Sequence, residues 1–200
     1  MKQLLNILLI FTIFSCKAQS IIKSLDGDGS CPPYDIDCYE KDVNNEFEKF
    51  EGTWLYLNGA TQITFQLKKE IRYQAFPNSN YEDLLVGEYK YIENGVEIAN
   101  TLSDFDNSLI SGYGHKISGG VFMHRLPSHC IDNSDVAEIK VMLFIKHPTQ
   151  EYTEGRVILR YLNDNGIEKL QACIYDNTTL GNIPNARIPI PNGYSEFVKQ

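Results

Sequence analysis

The chain has 200 residues, of which 42% are hydrophobic and 22% charged, so it can bury a globular core and is not disordered by composition. Eighteen Lys and Arg against 26 Asp and Glu leave a formal net charge of −8. That balance argues against nucleic acid as a partner, because such affinity rests on basic contacts to phosphate, and against electrostatic docking on anionic lipid.

Lys2 precedes an apolar run over residues 4–14 that only Asn6 and Thr12 interrupt. A run of about 10–14 residues is too short for a transmembrane helix, which needs about 20, and suits the core of a signal peptide. It ends Ile13-Phe14-Ser15-Cys16, without an A-x-A cleavage site. This region resembles the precursors of bacterial lipoproteins, although Phe14 departs from the small residue usual two places before the cysteine. The continuation Lys17-Ala18-Gln19 resembles the export region of Bacteroidota-type lipoproteins. The resemblance implies removal of residues 1–15, two or three acyl chains on Cys16, and, with Lys17 rather than Asp after the cysteine, an outer-membrane location. The alternative is a secreted protein cut after Ala18, which would discard Cys16. More than one acyl chain gives stable anchoring.

Of the five cysteines, lipidation of Cys16 would remove the odd one. Cys31, Cys38, Cys130 and Cys173 would remain, an even number for an oxidising compartment with three possible pairings. The short Pro-containing loop between them favours Cys31–Cys38, leaving Cys130–Cys173 to tie a loop to a late strand. No C-x-x-C occurs, so a zinc ribbon or thioredoxin-type site is not indicated.

Residues 16–35 are polar, with Gly27, Gly29, Pro32 and Pro33, and read as a tether from the membrane. Tyr39, Val43, Phe47 and Phe50 recur at helical spacing, and Asp37 with Glu40 fits a capping box; together they predict a short helix over about 37–49. From Thr53 the period changes to two. Trp54 and Tyr56 open one strand; Ile63, Phe65 and Leu67, then Ile71, Tyr73 and Ala75, continue the alternation. Gly87, Tyr89 and Tyr91 form another, followed by the tight turn Asn94-Gly95. The Gly-rich stretch 112–120 reads as a mobile loop leading into a strand over 121–126. Ala137 to Ile145 alternate, as do Val157, Leu159 and Tyr161, and Asn165-Gly166 turns into a strand over 167–175. Pro184, Pro189 and Pro191 make 176–193 an irregular excursion before a closing strand at 194–199. These elements predict an all-β domain over residues 36–200, an antiparallel up-and-down barrel or strongly curved sheet of about eight to ten strands.

The entry Gly52-Thr53-Trp54 resembles the Gly-x-Trp start of lipocalin-like (calycin) barrels, where a Trp plugs the floor beneath a late Arg; Arg156 and Arg160 are the two candidates for that Arg. The chain also resembles a group of uncharacterised Bacteroidota outer-membrane lipoproteins through Gly52-Thr53-Trp54, Ile63-Thr64-Phe65-Gln66-Leu67-Lys68-Lys69 and Val86-Gly87-Glu88-Tyr89. That resemblance implies location and fold, not activity.

In a barrel, Trp54, Tyr56, Tyr73, Tyr89, Tyr91 and Tyr161 could line a cavity for a small apolar or amphipathic ligand; the alternative is core packing with satisfied hydroxyls. His124 and His129, with Asp132 or Asp135, have no ligand-pair spacing, so no metal or cofactor is expected. Asp26-Gly27-Asp28 opens like a calcium loop but fails at Cys31 and Asp37. No catalytic set stands out: G-x-S-x-G and phosphate-loop motifs are missing. The leading expectation is a lipid-anchored, non-catalytic binding module. A structural or protein-interaction lipoprotein with a filled barrel comes second, and a hydrolase third.

Overall fold

The computed structural model describes residues 20–27, 29–130, 134–179 and 186–200; the expected signal peptide and Cys16 lie outside them. Eleven strands follow one another: β1 (Ile21–Ser24), β2 (Cys38–Lys41), β3 (Gly52–Asn58), β4 (Thr61–Gln74), β5 (Tyr81–Glu93), β6 (Val96–Asn100), β7 (Ile117–Met123), β8 (Lys140–Lys146), β9 (Thr153–Asp164), β10 (Ile167–Thr179) and β11 (Gly193–Lys199). Eight of them close an antiparallel barrel in the order β5, β4, β3, β11, β10, β9, β8, β7, and β7 returns to β5 at Val86 opposite Ser118. Strand β6 pairs with the far part of β5, while β1 and β2 extend the sheet in parallel from its start.

Alternation builds this barrel. Ile63, Phe65 and Leu67 on β4, Val141, Leu143 and Ile145 on β8, and Val157 and Leu159 on β9 all enter one core. The turns at Asn94-Gly95 and Asn165-Gly166 carry positive φ at both positions, as a tight hairpin of this hand requires. Gly87 sits where β4 crosses β5 so closely that a Cβ would lie 2.0 Å from the Gln66 carbonyl oxygen.

Both ends of the barrel are filled. At the end where β3 and β5 begin, a 3₁₀ turn over Glu46–Phe50 drops Phe47 and Phe50 into the core against fully buried Trp54. The Trp54 Nε1–H donates to the Phe50 carbonyl at 2.8 Å. The cation over the indole is Lys199, 5.2 Å from the ring centroid. The resemblance pointed to Arg156 or Arg160; instead Arg156 lies over Phe144, and Arg160 pairs with Glu138. At the other end of β11, Ile188 and Ile190, inside the Pro-rich excursion, are buried in the same core.

The helix expected over 37–49 does not form. Residues 38–41 are β2, between β1 and β5, and only Glu46–Phe50 is helical, as one 3₁₀ turn. Tyr39 belongs to a strand and Val43 is exposed, so the helical spacing was a coincidence of two different elements. Within the stretch read as a tether, Ile21–Ser24 is β1, paired with Cys38–Lys41. The strand read from Ala137 begins at Lys140. The strand read as 121–126 begins at Ile117, with Gly119 and Gly120 inside it. A Cβ on Gly120 would lie 2.9 Å from Phe47 Cζ, so Gly120 gives the plug its room.

A buried carboxylate relay fastens the floor. Asp83 on β5 accepts the Tyr39 hydroxyl and the Arg72 N–H on one oxygen and the Asp42 N–H, at 3.0 Å, on the other. Asp42 in turn accepts the N–H groups of Glu46 and Phe47 at 2.8 and 3.0 Å and pairs with Lys69. Burial, reinforced by Asp83, pushes the Tyr39 phenol well above its ordinary pKa, so it stays a donor.

Two outcomes follow for stability in urea. Trp54→Ala should lose about 3–5 kcal/mol, as for other buried large aromatics. Asp83→Ala leaves two buried donors, the Tyr39 hydroxyl and the Asp42 N–H, unpaired and should cost about 1–3 kcal/mol for each. An unchanged unfolding midpoint in either variant would remove the assigned role.

Candidate functional site

Of the six aromatic residues proposed for a ligand cavity, Trp54, Tyr89 and Tyr91 lie in the core, Tyr56 and Tyr161 pack against it, and Tyr73 lies outside it. Trp54 belongs to the floor. Tyr56 packs on Phe197, at 5.6 Å between centroids, and its hydroxyl accepts Asn58 Nδ2. Tyr73 stands edge-on to Tyr113 at 5.8 Å; its ring fills the space over Gly112, where a Cβ would lie 2.2 Å away. Tyr89 is fully buried and donates to the Lys146 carbonyl at 2.9 Å. Tyr91 donates to Glu93 at 3.0 Å, and Tyr161 to Glu168 at 2.7 Å. Burial raises the pKa of the Tyr73, Tyr89, Tyr91 and Tyr161 phenols, so they remain protonated donors at neutral pH. The structure does not bring the six together around a common space.

Both disulfides form as the loop lengths suggested. Cys31–Cys38 closes the Pro-containing loop, and Cys130–Cys173 ties the segment after β7 to the outer face of β10. Beneath the second bridge lies a small apolar cluster of Ile158, Met123, Leu126, Met142 and Tyr175. His129 packs edge-on to Tyr175 at 4.4 Å, and its ring nitrogen lies within 4.8 Å of both sulfurs; with the cysteines joined, those sulfurs are not thiolate ligands. His124 instead contacts Asp26 at 3.0 Å, and Asp135 accepts the Ala137 N–H. Asp28 and Asp132 lie outside the described residues.

A cleft of about 590 Å³ lies at the β8–β9 hairpin, lined by Lys116, Lys146, His147, Thr153 and Glu154 among others. The turn wraps around the imidazole: the N–H groups of Thr149 and Gln150 donate to His147 Nδ1 at 3.2 and 2.9 Å. That places the ring proton on Nε2. Burial and then Lys116 hold the His147 pKa down, so the ring is neutral at pH 7. Burial likewise lowers the Lys146 amine, which donates to the Tyr113 carbonyl.

Beside this cleft the 101–116 segment covers the outer face of β5. It buries His115 against Glu88, with Nδ1 2.9 Å from Oε1 and each side chain 1% exposed. The other oxygen of Glu88 has no hydrogen-bond partner among the described residues. Sequence reading missed this pair, because β5 had no visible reason to be covered on both faces. The run Asp83 to Tyr89, seven buried residues broken only by polar Asp83 and Glu88, was the available signal.

A second, smaller cavity of about 210 Å³ lies between β2 and β7, lined by Glu40, Glu82, Tyr113 and Phe122 among others. Glu40 and Glu82 are register partners on parallel strands. Burial raises the Glu82 pKa and Glu40 adds to it, against the Tyr113 hydroxyl that donates at 3.1 Å. A carboxyl whose folded pKa is raised favours the folded state in acid and loses that contribution as pH rises above the ordinary value of 4.5. Glu82→Gln should therefore be more stable than the parent at pH 7, with the advantage shrinking as pH falls toward 4.5 and levelling off below it. Thermal unfolding across pH checks this; a pH-independent difference would remove the assignment.

No curated protein and no solved structure matches the chain. A family model does, over residues 1–195, and its description is a family of unknown function, DUF6705. With nearly the whole chain matched and a closed barrel as its fold, the protein belongs to the DUF6705 family.

Proposed function

We propose that this protein is a lipid-anchored lipoprotein of the cell envelope, held in the outer membrane by acyl chains on Cys16, whose filled barrel presents an interaction surface to another envelope protein. The packed interior carries this reading. One continuous core runs from Phe47 and Phe50 through Trp54, Phe65 and Tyr89 to Ile188 and Ile190. Five hydrogen-bonded aromatics built into or against that packing (Trp54, Tyr56, Tyr89, Tyr91 and Tyr161) favour a scaffold over a carrier of a small apolar ligand. The surface then lies in what the barrel displays: the 101–116 segment, with Leu109 at its most exposed point, and the hairpin that forms the cleft.

Cysteine use supports the anchor. The chain has five cysteines, and the two disulfides take four of them. The fifth is Cys16, placed after an apolar run of signal-peptide length. Among the described residues no helix is long and apolar enough to cross a membrane.

Cys16→Ser tests the reading in cells. The parent should fractionate with membranes and carry the mass of two or three acyl chains, and the variant should lose both. Membrane association that survives the substitution overturns the anchor. Native mass spectrometry of the parent from its own membranes should show the lipidated chain alone. A discrete extra mass released on denaturation would replace the scaffold with a ligand carrier.

A further inference from the structure

An exposed apolar face sits where the chain enters the fold. Strands β1, β2 and β5 are parallel, and β3 is parallel to β5 through β4, so all four begin at the Trp54 end of the barrel. At that end Ile21 is 51% exposed, Ile36 51% and Tyr34 76%. Ile71 and Phe76, at the end of β4 and in the following turn, are 69% and 68% exposed. The Cys31–Cys38 bridge closes the loop that carries Tyr34 and Ile36, and the Ile21 N–H donates to the Asp37 carbonyl at 2.6 Å. The loop is thus fastened beside the first residue of β1. Leu57, Val96, Ile98 and Tyr152 are exposed at the opposite end as well, so the point at which the chain enters, and not exposure alone, singles out this face as a contact surface.

The chain outside the described residues limits what that surface meets. Five residue steps separate Cys16 from Ile21, and an extended chain covers at most about 3.6 Å per residue, so the leash is no longer than about 18 Å. A barrel on so short a leash cannot turn its Trp54 end away from the bilayer. Building on the anchor proposed above, we infer that the face formed by Ile21, Tyr34, Ile36, Ile71 and Phe76 rests in the lipid headgroup layer and orients the barrel with its β8–β9 cleft pointing away from the membrane. A tyrosine beside isoleucines suits that layer, with an apolar body and a hydroxyl left in water. Asp35 and Asp37 lie in the same loop, and the chain is acidic overall. The contact is therefore apolar in origin and independent of anionic lipid.

The experiment uses the full-length acylated protein in vesicles of zwitterionic phosphatidylcholine, with and without brominated acyl chains. Tyr34→Trp places a reporter on the face, and Tyr152→Trp places one in the exposed hairpin at the opposite end. Trp54 is buried and common to both. Insertion of about 5–10 Å should cut the Y34W signal roughly twofold in brominated vesicles and leave Y152W unchanged, at low and high salt alike. If the protein is acylated and vesicle-bound but Y34W is not quenched, the docking face is overturned and the anchor stands. If the protein carries no acyl mass, both fall. A concentration-dependent dimer in detergent that Ile36→Asp abolishes would assign the face to a second copy and overturn the membrane contact.

Discussion

The floor of this barrel depends on one pair of buried carboxylates. Asp83 joins β2, β4 and β5, and through the Asp42 backbone it fixes the residue that caps the 3₁₀ turn. The turn lowers Phe47 and Phe50 into the core, and the Phe50 carbonyl then holds the Trp54 indole. Charged groups so deep are tolerated because every lone pair in use meets a donor and Lys69 supplies a counter-charge to Asp42. Hydrophobic burial supplies the driving force, but the relay decides where the plug sits.

Much of the barrel was legible in the chain, for a specific reason. Half-buried antiparallel strands write their burial into sequence with period two, and β4, β8 and β9 did so plainly. Both Asn-Gly hairpins could be placed from the φ requirement alone. Of three possible cysteine pairings, the one that the short Cys31–Cys38 loop favoured is the one that forms. What failed was information held in space rather than in sequence. The short strand β2 is stabilised by parallel neighbours far along the chain, and nothing local distinguishes Tyr39 on a strand from Tyr39 on a helix. The cation over Trp54 could be identified only once β11 was known to pair with β3, which puts Lys199 opposite Trp54.

The candidate site was harder to read. Tyrosines on strands suggested a lined cavity, yet strand tyrosines are equally suited to filling a barrel when each hydroxyl finds a partner at the rim. The prolines made 176–193 read as an irregular excursion, but Ile188 and Ile190 alternate with Pro189 and Pro191 and are buried in the core. The buried Glu88 and His115 meet only because the 101–116 segment folds back over β5. Such polar pairs depend on long-range return of the chain, and one sequence carries no trace of that distance.

The seam between β3 and β11 joins residues near the beginning of the domain to its last few: Leu55 pairs with Val198 and Trp54 with Lys199. A barrel closed by its final strand has a high contact order, and the loop entropy of that closure falls late in folding. In the export route that the proposed anchor requires, the N-terminus leads, and the chain would reach the far side as an open sheet with two unpaired edges until β11 arrives. Protection of those edges, by a holding chaperone or by rapid completion of translocation, is thus a requirement that this topology places on the cell.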